Sequence, residues 1–231
     1  MSTYLVTGAA QGLGKALSTQ LLQEGHDVIL LDKDLKALNK LYDELETLGT
    51  AERAALYPMD LLGANIDHYA ELQSILEETY GQLDGVFLNA ALLPAFTPIA
   101  HFDYKQWYEV LHTGLNANFH LIQTTLPLLL KSADARLVAI GDDNILQHPA
   151  FYGAYGVAKA GLQQLMRSVA AENRVPQLQC YWAQLGTFAS ETRGRLFPGE
   201  NPLNLPQAES VAQHLLEIVS EGLNAEDIEK L

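Results

Sequence analysis

Thr7-Gly8-Ala9-Ala10-Gln11-Gly12-Leu13-Gly14 is the stretch that decides the fold. The apolar run Tyr4-Leu5-Val6 leads into it, and Leu13, Ala16, Leu17, Leu21 and Leu22 follow at helical spacing. The order is therefore strand, glycine turn, helix. Such a turn must bend sharply and let a pyrophosphate approach the backbone, which a residue without Cβ does at least cost. The helix behind it directs free N–H groups and its positive dipole end at that phosphate. Glycine clusters occur in many turns, so the context carries the reading. A second apolar run, Val28-Ile29-Leu30-Leu31, ends in Asp32, 18 positions beyond Gly14. A carboxylate at about that distance meets the adenosine ribose of a dinucleotide. The competing role for Asp32 is a helix N-cap, which Asp34 would fill equally well.

Composition sets the outer limits. A chain of 231 residues, 48% hydrophobic, fits one α/β domain over 1–231 with a large core. Its net charge of −14 disfavours nucleic acid and anionic membranes as partners. Cys180 is the only cysteine, so no intrachain disulfide is possible, and its apolar surroundings read as core. No apolar run reaches the length of a membrane span, and the first strand begins too early to leave room for a signal peptide. A cytoplasmic protein is the expectation.

Strand and helix then alternate along the chain. Asp34 to Leu48 carries leucines at spacings of three and four and stops at Gly49. Residues 54–59 read as a third strand, with Pro58 placing it at an exposed or bent position. It ends at Asp60-Leu61. Ile66 to Tyr80 reads as a helix with Ile66, Tyr69, Leu72, Ile75 and Leu76 inward. Val86-Phe87-Leu88 is the fourth strand and ends at Asn89-Ala90-Ala91. A long helical region to about Lys131 breaks near Gly114 and Pro127. Residues 136–140 and 178–183 are further strands, separated by a helix over 154–173. The breakers Gly194, Pro198, Gly199, Pro202 and Pro206 mark 187–206 as a mobile lobe, and a last helix covers 207–220. Repeated βαβ units imply a parallel sheet with ligands at the carboxyl ends of its strands.

The chemistry falls on Tyr155-Gly156-Val157-Ala158-Lys159, where positions four apart share a helix face. An ammonium beside a phenol lowers its pKa and fits it to exchange a proton with a substrate oxygen. With the glycine turn, this Tyr-x-x-x-Lys after the fifth strand resembles the short-chain dehydrogenase/reductase family over residues 2 to about 220. The resemblance implies a Rossmann-type three-layer αβα sandwich around a mainly parallel, doubly wound sheet. It implies cofactor contacts at Gly8, Gln11, Gly12, Leu13 and Gly14, with Asp32 on the ribose and Asp60 and Leu61 on the adenine. Asn89 and Ala90 match the start of the family's Asn-Ala-Gly, Gly186 its Pro-Gly, and Ser190 a residue near the carboxamide. Tyr155 and Lys159 would both contact cofactor as well as substrate. NAD is the expected cofactor because Asp32 repels a 2′-phosphate, with Lys33 as the complication.

Three departures from the family pattern follow. Asp142, thirteen positions before Tyr155, stands where the family has its catalytic serine. Gly114 stands where it has a helix asparagine, with Thr113 and Asn116 as neighbours. The final strand is expected to be missing. A carboxylate at 142 accepts where serine donates, opposing an alkoxide about 5 Å away by roughly 3 kcal/mol at an effective dielectric of about 20. Three readings of Asp142 stay open: a protonated carboxyl, a contact for a hydroxyl or amine substrate, or a side chain that points away. His112 and His120 lack metal-ligand spacing, and so does Asp142-Asp143-Asn144. Arg193 and Arg195 read as solvated charges before they read as an anion site. The expectation is thus an NAD(P)-dependent oxidoreductase acting on a small carbonyl or alcohol. Tyr155 is its acid/base, Lys159 the tuner and Asp142 a modified substrate contact. The alternative is a dinucleotide-binding protein without turnover. The family's paired long helices imply a homodimer, with no metal.

Overall fold

The computed structural model describes residues 1–231. Seven strands form one sheet: β1 (Thr3–Thr7), β2 (Asp27–Asp32), β3 (Ala54–Pro58), β4 (Gly85–Leu88), β5 (Ala135–Asp142), β6 (Leu178–Leu185) and β7 (Ile228–Lys230). Their order is β3-β2-β1-β4-β5-β6-β7. All neighbours from β3 to β6 are parallel, and the order reverses between β1 and β4, the topological switch point. β7 runs antiparallel to β6, pairing Ile228 with Ala183. The expected loss of the last strand is therefore corrected. Ile228-Glu229-Lys230 buries only Ile228, so so short a strand leaves no apolar run to detect in the sequence.

Helices cover both faces. On one, Leu17 of α1 (Gly12–Gln23), Leu41 of α2 (Leu35–Leu48) and Leu215 of α9 (Ala208–Ser220) pack with Val6, Leu30, Phe87 and Val138. On the other, Leu72 of α3 (Ile66–Tyr80), Leu121 of α5 (Ala117–Leu129) and Leu162 of α7 (Gly153–Glu172) pack with Leu5, Ile29, Val86 and Leu137. Burial of both faces explains why these strands read as unbroken apolar runs. β3 is an edge strand, where the missing N–H of Pro58 is tolerated. Cys180 lies in the core, its thiol pushed up to about 11 by burial.

Helix ends follow local chemistry. The Asp34 carboxylate accepts from the Ala37 N–H at 3.0 Å and caps α2, which frees Asp32 from that role. In α3 only Tyr69, Leu72 and Leu76 are buried. Ile66, in the first turn, and Ile75, at the margin of that stripe, are exposed rather than inward. The break near Gly114 is a π-helical turn, His112–Asn116, between α4 (Tyr104–Leu111) and α5. Two short helices, α6 (Asn144–Gln147) and α8 (Glu191–Leu196), lie beyond the ends of β5 and β6.

Candidate active site

The carboxyl ends of the central strands open onto one cleft of about 300 Å³. Gly8, Gln11, Gly12 and Leu13 line it from the glycine turn. Gly8 and Gly12 have φ of 65° and 53°, the left-handed region that glycine enters without strain. A Cβ on Gly8 would stand 3.1 Å from Ala90 Cα, so this turn also sits hard against the chain after β4. Gly14 does not line the cleft. A Cβ there would overlap the Gly8 carbonyl, so Gly14 is what lets α1 pack against the turn. Gln11 gives α1 no side-chain cap, which leaves the first-turn N–H groups for ligand oxygens. The cradle fits a pyrophosphate.

The remaining candidates arrive from other strands. Thr7 Oγ1 accepts the N–H groups of Asn89 and Ala90, both at 3.0 Å. Asn89 Nδ2 returns to the carbonyls of Thr7 at 3.0 Å and Gly8 at 3.3 Å. Asn89 therefore clamps the turn across the switch point while Ala90 lines the cleft beside it. Asp32 also lines it; one carboxylate oxygen accepts from Ala10 N–H at 3.1 Å and the other from Asp34 N–H at 3.0 Å. Each oxygen retains a lone pair for a ribose hydroxyl. Asp60 and Leu61, after β3, and Gly186, after β6, line the same cleft.

Tyr155, Lys159 and Asp142 meet at the other end. Lys159 Nζ lies 5.6 Å from the centre of the Tyr155 ring and donates to the Ile140 carbonyl at 2.6 Å. Burial lowers the Lys159 ammonium to about 8, against the opposing pull of Asp142. The Tyr155 hydroxyl donates to Asp142 Oδ2 at 3.3 Å. Burial first, then the charge and hydrogen bond of Asp142, hold the phenol well above its ordinary range. Tyr152 adds to the rise, and the lowering expected from Lys159 is not among the causes. Asp142 does not point away: its Oδ1 accepts from Asn144 N–H at 3.0 Å and Asn144 Nδ2 at 2.8 Å, and Asn144 Oδ1 accepts from Thr187 Oγ1 at 2.9 Å.

Gly114 is buried in the π-turn, where a Cβ would stand 2.9 Å from Ala158 Cβ on α7. There is no space for an asparagine. Its carbonyl already accepts from Asn118 Nδ2 at 2.8 Å. Of its neighbours, Thr113 lines the cleft with a buried, unpartnered hydroxyl, whereas Asn116 is exposed. Arg193 also faces the cleft, but its guanidinium holds Glu200 at 2.6 and 2.7 Å and stacks on Phe197. Arg195 donates to the Leu93 carbonyl at 2.7 Å. Arg193 is thus paired, and the exposed Arg195 does not line the cleft. Ser190 caps α8 by accepting from Arg193 N–H at 3.1 Å, and it lines the cleft as well. No group of three or more His, Cys, Asp or Glu side chains is placed to hold a metal.

Several members of the site were not expected. Asn144, two positions after Asp142, has the spacing of an Asx turn and was open to detection. Thr187 joins it from the far side of β6. Phe96, Tyr152 and Phe197 form the aromatic end of the cleft, with Phe96 edge-on to both others at 5.1 and 5.4 Å. No local pattern links residues so distant in sequence.

The family model for short chain dehydrogenases matches residues 2–201. The chain is 30% identical over 201 residues to the uncharacterized oxidoreductase YciK of Escherichia coli K12, covering 87% of this chain and 79% of that protein. It is 28% identical over 178 residues to the cyclohexanol dehydrogenase of Acinetobacter sp. SE19, covering 73% and 62%. A candidate short chain dehydrogenase from Shigella flexneri, crystallised with NADP, aligns with a TM-score of 0.87 at 29% identity, over 93% of this chain and 89% of that one. Another from Escherichia coli CFT073, crystallised with NADPH, gives 0.86 at 29% identity over the same shares.

Proposed function

This chain belongs to the short chain dehydrogenase family, and we propose that it works as a single catalytic domain transferring hydride between a nicotinamide dinucleotide and a small carbonyl or alcohol. The observation that carries this reading is the convergence of Tyr155, Lys159 and Asp142 in the cleft that begins at the glycine turn. A bound dinucleotide supplies or accepts the hydride. Gly8, Gln11, Gly12 and Leu13 would hold its pyrophosphate, Asp32 its ribose, and Asp60 and Leu61 its adenine. Tyr155, kept protonated by burial and by Asp142, is an acid that donates its proton to a substrate oxygen. Lys159, pinned to the Ile140 carbonyl, fixes the floor on which the phenol rests and is positioned for the second ribose. Residues 187–206 cover the substrate end.

NAD(H) is the preferred form on the evidence of Asp32, whose charge disfavours a 2′-phosphate. Lys33 in the same wall and the NADP and NADPH of the two related structures weigh the other way. No helix of the chain is long and apolar enough to cross a membrane. With the net charge of −14 and a single buried cysteine, a cytoplasmic site of action fits. Fluorescence titration with both reduced cofactors, followed by turnover across a carbonyl panel with Tyr155→Phe as control, tests the reading. Tighter NADPH binding overturns the cofactor preference. Saturable binding with no turnover of any substrate overturns the enzyme in favour of a dinucleotide-binding protein.

A further inference from the structure

Asp142 is a carboxylate inside the cleft with no cation paired to it. Its partners are the Asn144 N–H, the Asn144 amide and the Tyr155 hydroxyl, all neutral donors. The cations nearby donate elsewhere, Lys159 to the Ile140 carbonyl and Arg193 to Glu200, and meet Asp142 only through space. A partly buried carboxylate with no direct ion pair can accept one from a ligand. Aromatic rings share the cleft with Asp142. Phe96, Tyr152 and Phe197 line the cleft, and the Tyr152 ring stands 6.2 Å from that of Tyr155. Ring faces attract organic cations. Carboxylate and aromatic walls together are the chemistry that selects a positively charged nitrogen.

The same charge sorts reactions. Carbonyl reduction builds negative charge on oxygen beside Asp142, whereas reduction of a protonated imine removes positive charge from nitrogen and builds no anion. We propose that the substrate class of this site is a small organic cation with a carbon–nitrogen double bond, held by an ion pair between its N–H and Asp142 and reduced to the amine. The proposal rests on the oxidoreductase reading above. In the step, the substrate carbon accepts a hydride from reduced nicotinamide dinucleotide, which is thereby oxidised. The C=N π pair moves to nitrogen as a lone pair, and the N–H facing Asp142 stays in place. The amine takes up a proton from solvent on release. The amine nitrogen needs no proton from Tyr155, so the phenol that would protonate a carbonyl oxygen instead keeps its proton and orients the carboxylate. A ketone of the same shape lacks the N–H and meets an acceptor with nothing to donate, which leaves the carboxylate unpaired.

The test compares 3,4-dihydroisoquinoline with α-tetralone as substrates, and 1,2,3,4-tetrahydroisoquinoline with isochroman as ligands of the protein loaded with oxidised dinucleotide. The wild type is expected to prefer the imine in kcat/KM by at least about tenfold, and the amine over the ether by at least about tenfold, or about 1.4 kcal/mol. Asp142→Asn, which keeps the shape and removes the charge, and Asp142→Ser should each bring both ratios near one while dinucleotide binding stays unchanged. Reduction of tetralone as fast as imine, with a ratio that Asp142→Asn does not move, overturns the proposal and leaves the oxidoreductase standing. No turnover of either compound overturns the imine proposal, and with none across the carbonyl panel it overturns the oxidoreductase as well. The amine-to-ether ratio then decides cation recognition alone: near one in the wild type refutes it, and a preference lost in Asp142→Asn supports it.

Discussion

Asp142→Ser should turn a site that resists ordinary carbonyl reduction into one that performs it. The Tyr155 hydroxyl and Asp142 Oδ2 are 3.3 Å apart. A substrate oxygen accepting from that hydroxyl at about 2.7 Å lies within roughly 4–6 Å of the carboxylate. At an effective dielectric of about 20 and a separation of about 5 Å, the charge opposes a developing alkoxide by about 3 kcal/mol. Removing it corresponds to about a hundredfold in kcat/KM, and serine adds a donor aimed at the same oxygen. The pH profile moves as well. Asp142 holds the phenol up, so the variant's Tyr155 loses its proton at lower pH and the alkaline limb of reduction shifts downward. Initial rates of NADH and NADPH oxidation with a small diketone, from about pH 6 to about pH 10, measure both effects against a Tyr155→Phe background. Equal rates in wild type and variant, with cofactor binding intact, would falsify the reasoning. Adding Gly114→Asn should give no further gain, because its Cβ meets Ala158 at 2.9 Å.

Three other outcomes are expected. Lys159 holds its proton only to about 8 in the fold against 10.5 ordinarily, so its burial opposes folding at neutral pH by on the order of 3 kcal/mol, and stability recovers as pH rises between those values. Lys159→Met should therefore raise the Tm at pH 7 and lose that gain toward pH 10; a pH-independent difference refutes this. Gly14→Ala should abolish dinucleotide binding or lower the Tm by several degrees through its overlap with the Gly8 carbonyl, whereas Gly186→Ala, with nothing near the added Cβ, should leave the Tm within about a degree. Light scattering should report a homodimer, since α4, α5 and α7 leave Tyr104, Tyr108, Phe119 and Val157 exposed, and not a tetramer joined at β7, whose exposed Glu229 and Lys230 guard that edge.

What was legible in the sequence is what local periodicity carries. The glycine turn, the strands buried on both faces and the Tyr155–Lys159 pair are set by spacing within one element, and the sheet brings them together as the spacing implies. Asp34 settles the competition over Asp32 by capping α2, a local contest that only the geometry resolves. β7 escaped because one buried side chain makes no pattern. The aromatic wall escaped because Phe96 and Phe197 meet only through tertiary packing. Spacing located Asp142 but carried no information on its direction, which depends on Asn144 and, through it, on Thr187. The sign of the Tyr155 shift was misread for a related reason. The helix places Lys159 near the phenol, but the shift is set by burial and the facing carboxylate, and both are properties of the folded cleft.

Gly114 and Asp142, the two positions that the family resemblance marks as unusual, are built into the packing, and this bears on whether the site works. Gly114 lets α7 approach until Ala158 fills the space an asparagine side chain would occupy. Asp142 is held through Asn144 to Thr187 and faces Tyr155. A cleft without chemistry gains nothing from a buried lysine whose charged form opposes folding, nor from a carboxylate set against a phenol in the same enclosure. Methionine and leucine would fill those positions with greater stability. Groups that fold at a cost, converge within hydrogen-bond reach and open onto a dinucleotide cradle are the mark of a site shaped for reaction. The position of the charge, beside the acid instead of a neutral donor, is what ties the proposed imine reduction to this site.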